Sequence, residues 1–441
     1  MTLAALYPDH VREQMRRADV ALERAGFDYL VIPSGEEHYA FLDDQSYPFR
    51  ANPHFLAWVP LTQHAGSFIV YTPGKKPRLV YFQPHDYWHE PPAAPSGFWV
   101  DAFDVRVIHD PAEAPGQLPI GARCAVLGEA NAAVEGLVPN NPPAVINYLH
   151  YQRARKTRYE IEQMRRASRR AAKGHLAAAA AFHDGCSEHE IHLRYCSAVE
   201  QTESQLPYGN IVALNEHAAV LHYHHTPGPS PSHSRSFLID AGARESGYAS
   251  DITRTHARTD GIFSELIGRV DTMQQALVSE MRAGRDYRDL HVECHRRIAS
   301  ILHDTRIVRM APEEQVERGL TQVFFPHGLG HFIGIQVHDV GGFQQDESGG
   351  SIPRPPGHPF LRLTRTLEPG HVLTVEPGLY FVPMLLEKLK ASADASAVDW
   401  RLIDVLSPFG GIRIEDDVHV TAAEPENLTR DAFAALAALA E

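Results

Sequence analysis

Four acidic residues stand within or at the end of apolar, strand-like runs in the second half of the chain, and they restrict the fold more than any other feature. They are Asp240 in "SFLIDAG", Asp251 in "SDITRT", Glu376 in "LTVEPGLY" and Glu415 in "GIRIEDD". A buried carboxylate is costly unless it is paired or bound to a metal ion. Because no matching set of lysines is embedded in these runs, we predict that all four meet in one domain around two metal ions.

The spacing of Asp240 and Asp251 predicts a β-hairpin. If its turn is centred on residues 245 and 246, the two aspartates face each other across the strands, and their like charges are destabilising without a cation. Two other interpretations stay open. Asp240 could cap a turn while Asp251 is solvated, and Glu415 could form a salt bridge with Arg413, two positions earlier on the same face of its strand.

Three histidines in "FFPHGLGHFIGIQVHDV" are candidate metal ligands, acid–base groups or satisfied core residues: His327, His331 and His338. The first two have H-x-x-x-H spacing, but Gly328 and Gly330 disfavour a regular helix there. Oxygen ligands with a single imidazole suit manganese, cobalt or magnesium. Four carboxylates also balance the charge of two divalent cations.

Composition and charge exclude several classes of protein. The 441 residues are 44% hydrophobic and 22% charged, which is typical of a globular protein, and the formal net charge of −14 argues against nucleic-acid and anionic-membrane partners. The four cysteines form no C-x-x-C pair, and the first residues lack the apolar core of a signal peptide. We therefore expect a cytoplasmic protein with no membrane span.

Helix and strand signals alternate in the first third of the chain, as in an α/β domain. Thr157 and Glu160 then form a capping-box signature that opens a long helix. Beyond it, helices mix with alternating strands. We predict an α/β (α+β) fold with an N-terminal domain at residues 1–155 and a second domain at residues 156–441.

The motifs "LIDAG", "SDITRT", "PHGLGH", "TVEPGLY" and "GIRIEDD", in that order, resemble the pita-bread metallopeptidases, which include methionine aminopeptidase, aminopeptidase P, prolidase and creatinase. "FLDDQSYPFRANPHF" and "YGNIVALNEHAAVLHY" are similar to segments of the bacterial Xaa-Pro dipeptidases (prolidases), including those called organophosphorus acid anhydrolases. This resemblance implies a creatinase-like N-terminal domain, a C-terminal pita-bread catalytic domain and a homodimer. The family's ligand pattern is complete in this chain: Asp240, Asp251, His331, Glu376 and Glu415.

By this resemblance, the protein hydrolyses Xaa-Pro dipeptides with two divalent metal ions, for which manganese is the expected choice. Asp240 would bind one ion, Asp251 and Glu415 would bridge both, and His331 and Glu376 would complete the shell of the other. A metal-bridging hydroxide would attack the carbonyl carbon before the C-terminal proline. Glu376 would also carry the proton.

The resemblance further implies that His222 and His327 stabilise the oxyanion or contact the substrate. It also implies substrate contacts by His338, Arg413 and Tyr287. Asp44 and Trp88 would enter the pocket of the neighbouring subunit in a dimer. An arginine fork suits a substrate carboxylate. His338 could instead donate to Asp339, Tyr287 could be a packing residue, and the last two could be ordinary loop residues.

Other functions fit parts of the same pattern. An aminopeptidase P would remove one residue from longer Xaa-Pro peptides, and a non-catalytic pita-bread binding protein would have lost metal ligands. A serine hydrolase is disfavoured because the chain has no G-x-S-x-G motif. Side activity on organophosphorus esters would use the same hydroxide and would depend on the shape of the pocket.

Overall fold

The structure, a computed structural model, describes residues 2–440. Contacts divide the chain into two compact units. The first unit extends to Gln163 and also includes Ser246–Tyr248 and Gln344–Gly350. The second unit comprises Met164–Glu245, Ala249–Phe343 and the chain from Ser351 onward.

A five-stranded mixed sheet forms the centre of the first unit. Its strands are β1 (Tyr29–Pro33), β2 (Phe68–Tyr71), β3 (Arg78–Phe82), β4 (Asp104–Ile108) and β5 (Cys124–Val126). They lie in the order β4-β3-β2-β1-β5. Strand β2 pairs antiparallel with both β1 and β3, whereas the edge strands pair parallel with their neighbours, β4 with β3 and β5 with β1. The helices of this unit are α1 (Leu3–Ala25), α2 (Pro53–Leu56) and α3 (Pro143–Arg153).

The apolar runs of the first third of the chain form these strands as predicted. Val31, Phe68 and Val80 pack together in the core of the sheet. Helix α1 ends at Gly26, whose φ of +73° fits a left-handed C-cap that glycine adopts without strain. Strand β4 has a weaker sequence signal than the other strands, because its residues are largely half-buried or exposed and its sequence, "DVRVI", includes two charged residues.

The strands that follow residue 163 form short sheets. Their bounds are β6 (Ile211–Leu214), β7 (Ser236–Asp240), β8 (Arg244–Glu245), β9 (Tyr248–Ala249), β10 (Thr253–Ala257), β11 (Val372–Val375), β12 (Gly378–Tyr380), β13 (Gly411–Arg413), β14 (Asp416–His419) and β15 (Glu426–Asn427). One sheet has the order β10-β7-β6, a second has β11-β14-β15, and β12 pairs with β13. Strands β8 and β9 form the tip of a hairpin.

Nine further helices occur in residues 156–440: α4 (Arg158–His183), α5 (Glu188–Val199), α6 (Ile262–Val278), α7 (Tyr287–Asp304), α8 (Pro312–Glu317), α9 (Thr321–Phe324), α10 (Pro383–Lys390), α11 (Trp400–Leu406) and α12 (Leu428–Ala440). The predicted long helix is α4. Its capping box is formed, since the Thr157 amide donates to Glu160 Oε2 at 2.8 Å and the Glu160 amide donates back to the threonine hydroxyl. Within residues 2–440, no helix is long and apolar enough to cross a lipid bilayer.

Two details of the predicted strands are wrong. Asp240 pairs with Thr253 in the ladder of β7 and β10, so the register differs by two residues from one that places Asp240 opposite Asp251. The turn lies at Ser246–Gly247, where φ is +51° and +92°, because glycine accepts the left-handed conformation that the tight turn requires. The run "GGIRIEDDVHV" is not one strand but is divided at residues 414–415 into β13 and β14.

Glu188, at the start of α5, holds the loop that follows β6. Its carboxylate accepts hydrogen bonds from the Leu214 amide at 2.6 Å, from His217 Nδ1 at 2.8 Å and from the Tyr223 hydroxyl at 3.0 Å. Glu188 itself is 3% exposed. Because Tyr223 follows His222 directly, this buried acceptor also fixes the segment that carries a predicted site residue.

We expect Glu188→Ala to lower the free energy of unfolding by about 3 kcal/mol, since it leaves the buried Leu214 amide and Tyr223 hydroxyl without their acceptor. Urea denaturation of the full chain would measure the change. Glu216→Ala is the matched control, because Glu216 is an exposed glutamate of the same loop. Equal denaturation midpoints for the two variants would contradict the role of Glu188.

Candidate metal centre

The predicted carboxylates come together in the second unit. The Tyr208 hydroxyl lies 2.8 Å from Oδ1 of Asp240 and 2.5 Å from Oδ1 of Asp251. Asp251, His331 and Glu415 each offer one ligand atom, and these three atoms lie within 4.8 Å of one another. The change of register does not separate the aspartates, because Asp251 is two residues from Thr253 and shares its face of the strand.

His331 presents a free ring nitrogen to this cluster. Its Nδ1 lies 3.0 Å from the carbonyl oxygen of Phe332, which only a protonated Nδ1 can satisfy. The unprotonated Nε2 therefore lies 3.5 Å from Asp251 Oδ2 and 3.6 Å from Glu376 Oε1. Two acceptors facing a third acceptor repel one another, whereas a cation between them would bind all three. A hydrogen bond to the remote nitrogen is also the usual way of orienting a histidine ligand.

Gly330 is the reason that His331 can lie so close to β11. A Cβ atom at Gly330 would stand 2.1 Å from the carbonyl oxygen of Thr374, so only glycine fits. The neighbouring amide of His331 then donates to the Thr374 hydroxyl at 3.1 Å. This close approach explains why residue 330 is glycine. The segment is therefore not the regular helix in which H-x-x-x-H spacing would place His327 and His331 on one face.

Arg413 is the buried cation beside the carboxylates. Its Nη2 lies 2.7 Å from Asp240 Oδ2, and its Nη1 donates to the Tyr380 hydroxyl at 2.9 Å. Its Nε donates to the hydroxyl of Thr253 at 3.2 Å, and that hydroxyl donates to Glu415 Oε2 at 2.6 Å. The salt bridge of Arg413 is therefore with Asp240, and its link to Glu415 passes through Thr253.

The buried charges perturb the acids strongly. Burial, and then repulsion from neighbouring carboxylates, raises the pKa of Asp251 and of Glu415 well above the usual range. Burial likewise raises the pKa of Glu376 to about 7, although Arg413 opposes the shift. Burial lowers the pKa of His331 to about 3, so its imidazole is neutral at pH 7. The cluster holds more negative charge than its own groups can balance.

The other predicted histidines surround this cluster. His327 Nδ1 lies 2.8 Å from the carbonyl oxygen of Gly328 and 3.8 Å from Glu376 Oε2, while its Nε2 accepts from the Tyr380 hydroxyl at 2.9 Å. His338 is exposed and packs edge-on against His331, with ring centroids 4.4 Å apart. His222 is exposed in the loop after β6. Burial lowers the pKa of His327 to about 3 and that of His338 to about 4, and the proximity of His222 adds to both shifts.

The remaining predicted contacts have different surroundings. Tyr287 is completely buried, and its hydroxyl donates to the carbonyl oxygen of Thr374 at 3.1 Å, next to the backbone of the His331 segment. Asp44 and Trp88 belong to the first unit. Both are exposed, and the tryptophan ring lies 5.1 Å from that of Tyr87.

Sequence reasoning missed several residues that order the cluster. Tyr208, Tyr380 and Thr253 supply the hydroxyl groups just described, and Asp417 accepts the Asp251 amide at 3.0 Å. Tyr208 and Tyr380 do stand inside the quoted motifs "YGNIVALNEHAAVLHY" and "TVEPGLY". A hydroxyl near acidic positions is the signal that could have identified them, but no spacing rule gives their partners.

Comparison with known proteins places this chain in a family. Residues 5–151 match the N-terminal domain of Xaa-Pro dipeptidase, and residues 162–422 match metallopeptidase family M24. The second match covers more than half of the chain. The chain therefore belongs to metallopeptidase family M24, and it is a metal-dependent hydrolase.

Its relatives narrow the class further. The chain is 54% identical to a Xaa-Pro dipeptidase of Xanthomonas campestris over 98% of this chain and 99% of the relative. It is 52% identical to a Xaa-Pro dipeptidase of Stenotrophomonas maltophilia over 98% of both chains. The chain is thus a member of the Xaa-Pro dipeptidase group within the M24 family.

Solved structures confirm the predicted fold class. Aminopeptidase P of Escherichia coli matches 97% of this chain and 98% of its own with a TM-score of 0.70 and 24% identity. Aminopeptidase PepP of Pseudomonas aeruginosa matches with a TM-score of 0.71 and 23% identity over 98% and 99%. At this identity the likeness establishes the fold alone: an N-terminal α/β domain followed by a pita-bread domain.

The residues of the cluster fit a site for divalent cations. Carboxylate oxygens dominate the donor set, one neutral imidazole nitrogen points into it, and the buried negative charge exceeds the charge of Arg413. Hard divalent cations prefer such oxygen-rich sites.

Removing divalent cations should therefore lower the thermal stability of the protein, and Mn²⁺ at 100 times its Kd should restore about 2.7 kcal/mol for each site that it fills. Asp251→Asn should be at least as stable as the wild type without metal, because one buried acid is gone, and should gain much less from Mn²⁺. Differential scanning calorimetry would measure both quantities. Asp260→Asn, an exposed aspartate of the same unit, is the control; a normal Mn²⁺ response in Asp251→Asn would contradict the site.

Proposed function

We propose that this protein hydrolyses Xaa-Pro dipeptides at a site for two manganese ions. The observation that carries the proposal is the convergence of five potential ligands in the second unit: Asp240, Asp251, His331, Glu376 and Glu415. Relatives above 50% identity over almost the whole chain are Xaa-Pro dipeptidases, which supports the substrate class.

In this proposal, five residues would hold the two cations. Asp251 and Glu415 would be shared by both, Asp240 would be a ligand of one, and His331 and Glu376 would be ligands of the other. Two such cations, when bound, lower the pKa of a water molecule and polarise the substrate carbonyl. The orientation of His331 Nε2 toward Asp251 and Glu376 supports the assignment of these three residues.

Glu376 is the proposed proton carrier. Its side chain is 18% exposed, compared with 7% for Asp251, so among these acids it has better access to the substrate. A glutamate that both faces the reacting carbonyl and keeps contact with solvent can take a proton and pass it to the leaving amine. His327, whose Nδ1 lies beside Glu376, is proposed to stabilise the developing oxyanion together with His222.

The proposed binding groups for the substrate carboxylate are His338 and Arg413. His338 is exposed beside His331 and can reach a bound dipeptide. The planar guanidinium of Arg413 suits a carboxylate. Because it already contacts Asp240 and Tyr380, a bound substrate carboxylate would replace one of these two contacts. Tyr287 supports the pocket from beneath through its bond to Thr374.

A homodimer in which Asp44 and Trp88 contribute to the neighbouring subunit's pocket is part of the proposal. Four apolar side chains of the first unit near these two positions in sequence are each at least 60% exposed: Phe41, Leu42, Tyr47 and Tyr87. Exposed apolar patches are typical of interaction surfaces, and the contacting rings of Tyr87 and Trp88 support such a surface. We place the domain boundary between residues 155 and 156, in the short link between α3 and α4.

The cytoplasm is the proposed location. All four cysteines (Cys124, Cys186, Cys196 and Cys294) are free thiols in this structure, as expected for a reducing compartment. Organophosphorus hydrolysis stays a prediction from the resemblance, since none of the contacts found in residues 2–440 bears on it.

Glu376→Gln should keep the fold but reduce kcat by about 10²- to 10⁴-fold, since the amide neither carries the ligand's charge nor accepts a proton. Hydrolysis of Ala-Pro with Mn²⁺ would measure the loss, and circular dichroism would check the fold. Glu387→Gln, on the exposed face of α10, is the matched control and should be as active as the wild type. Near-normal turnover of Glu376→Gln would contradict the proposed role of Glu376 as proton carrier.

The fold alone also allows an aminopeptidase P, the activity of the structurally similar proteins. We expect Ala-Pro to be cleaved with a higher kcat/KM than Ala-Pro-Ala, because the proposed groups for the C-terminal carboxylate meet the proline carboxylate only in the dipeptide. Both rates should be measured at equal Mn²⁺ concentration. Much faster cleavage of the tripeptide would replace the dipeptidase proposal with the aminopeptidase one.

A further inference from the structure

Three histidines form a second cluster that involves none of the five carboxylate-site ligands. His291 and His295 lie four residues apart on one face of α7, and His358 comes from the proline-rich loop of residues 353–360. One ring nitrogen from each lies within 4.8 Å of the other two. The helical residues are both 1% exposed. His358 is half-buried, although its neighbours Gly357 and Phe360 are exposed.

The hydrogen bonds of the cluster leave ring nitrogens without partners. His291 Nε2 lies 3.0 Å from His358 Nδ1, and His295 Nδ1 lies 2.9 Å from the Thr321 hydroxyl. Within residues 2–440, the buried Nδ1 of His291 and the buried Nε2 of His295 have no hydrogen-bond partner. Buried polar atoms normally have one, so these rings have unused capacity for a ligand, and Nε2 of His295 is a buried nitrogen that a ligand could occupy.

The chemistry of the cluster selects the kind of ligand. Burial lowers the pKa of His291 to about 2 and that of His295 to about 3, so both rings are neutral at pH 7 and offer a lone pair. Neutral imidazoles favour zinc, copper or nickel over the harder manganese and magnesium. Three histidines with an open fourth position are a familiar tetrahedral arrangement for zinc.

We propose that His291, His295 and His358 form a zinc site separate from the carboxylate centre. Thr321 is its positioning residue: because its hydroxyl contacts Nδ1 of His295, it orients the ring and leaves Nε2 as the ligand atom. Zinc bound there ties the loop of residues 353–360, which has no regular structure, to helix α7.

This loop reaches the candidate metal centre. A Cβ atom at Gly328 would lie 2.9 Å from the Phe360 carbonyl oxygen and from the Leu361 Cα, so the loop packs directly on the segment that carries His327. Phe325 contacts the rings of both His295 and His327. Zinc at the histidine cluster therefore fixes a loop that packs on the segment carrying His327.

Metal content would test the site in the full chain. Metal-free protein is loaded with Mn²⁺, dialysed against zinc ions and analysed by mass spectrometry of the metals. The wild type should retain one zinc ion per chain more than His358→Ala, whose substitution in a loop leaves α7 intact. His303→Ala, an exposed histidine of the same helix, should match the wild type. Equal zinc content in the wild type and His358→Ala would overturn the proposal.

Two further variants separate this proposal from the proposed peptidase function. Asp251→Asn combined with Glu415→Gln disables the carboxylate centre, yet the protein should still bind one zinc ion per chain. If it binds none, the histidine cluster is not a zinc site. Thr321→Val should weaken zinc binding by about 10- to 100-fold, as expected for the loss of a positioning hydrogen bond. Unchanged zinc affinity in this variant would contradict the role of Thr321.

Discussion

Repulsion among the clustered carboxylates is the constraint on which the arrangement of the second unit depends. Two like charges 4 Å apart cost about 4 kcal/mol even at an effective dielectric constant of 20, and an oxygen atom of Asp251 lies within 4.8 Å of one of Glu415. Arg413 offsets part of that charge through Asp240. The raised pKa values of Asp251 and Glu415 mean that protons offset another part when no metal is bound. Divalent cations offset the same negative charge more strongly. Because they replace the protons on these acids, metal binding and proton release are linked in this site.

The surrounding hydroxyl groups connect the charged side chains of the cluster by hydrogen bonds. Tyr208 joins the two aspartates, Thr253 joins Arg413 to Glu415, and Tyr380 joins Arg413 to His327. Each hydroxyl can donate or accept, so the network tolerates a change in protonation without leaving a buried group unsatisfied. A cluster built from carboxylates and arginine alone would lack this freedom.

The sequence predicted the elements whose signals are local. The capping box at Thr157 and Glu160, strands β1 to β3 and the four acidic positions all follow from short motifs and apolar patterns. The register of β7 and β10 did not follow, because it depends on a turn at Ser246–Gly247 with two positive φ values. The partner of Arg413 did not follow either. Asp240 lies 173 positions away, and only the folded chain brings the two together.

Two of the histidine pairs with H-x-x-x-H spacing show why spacing alone misleads. His327 and His331 have this spacing, but Gly330 lets the backbone pass against Thr374, and the two rings serve different neighbours. His291 and His295 have the same spacing on a regular helix, so their rings do share one face. The third histidine of that cluster comes from a proline-rich loop with no regular pattern, which is why the sequence does not reveal it. The chain thus presents an oxygen-rich set and an imidazole set of ligands whose preferences for metals differ.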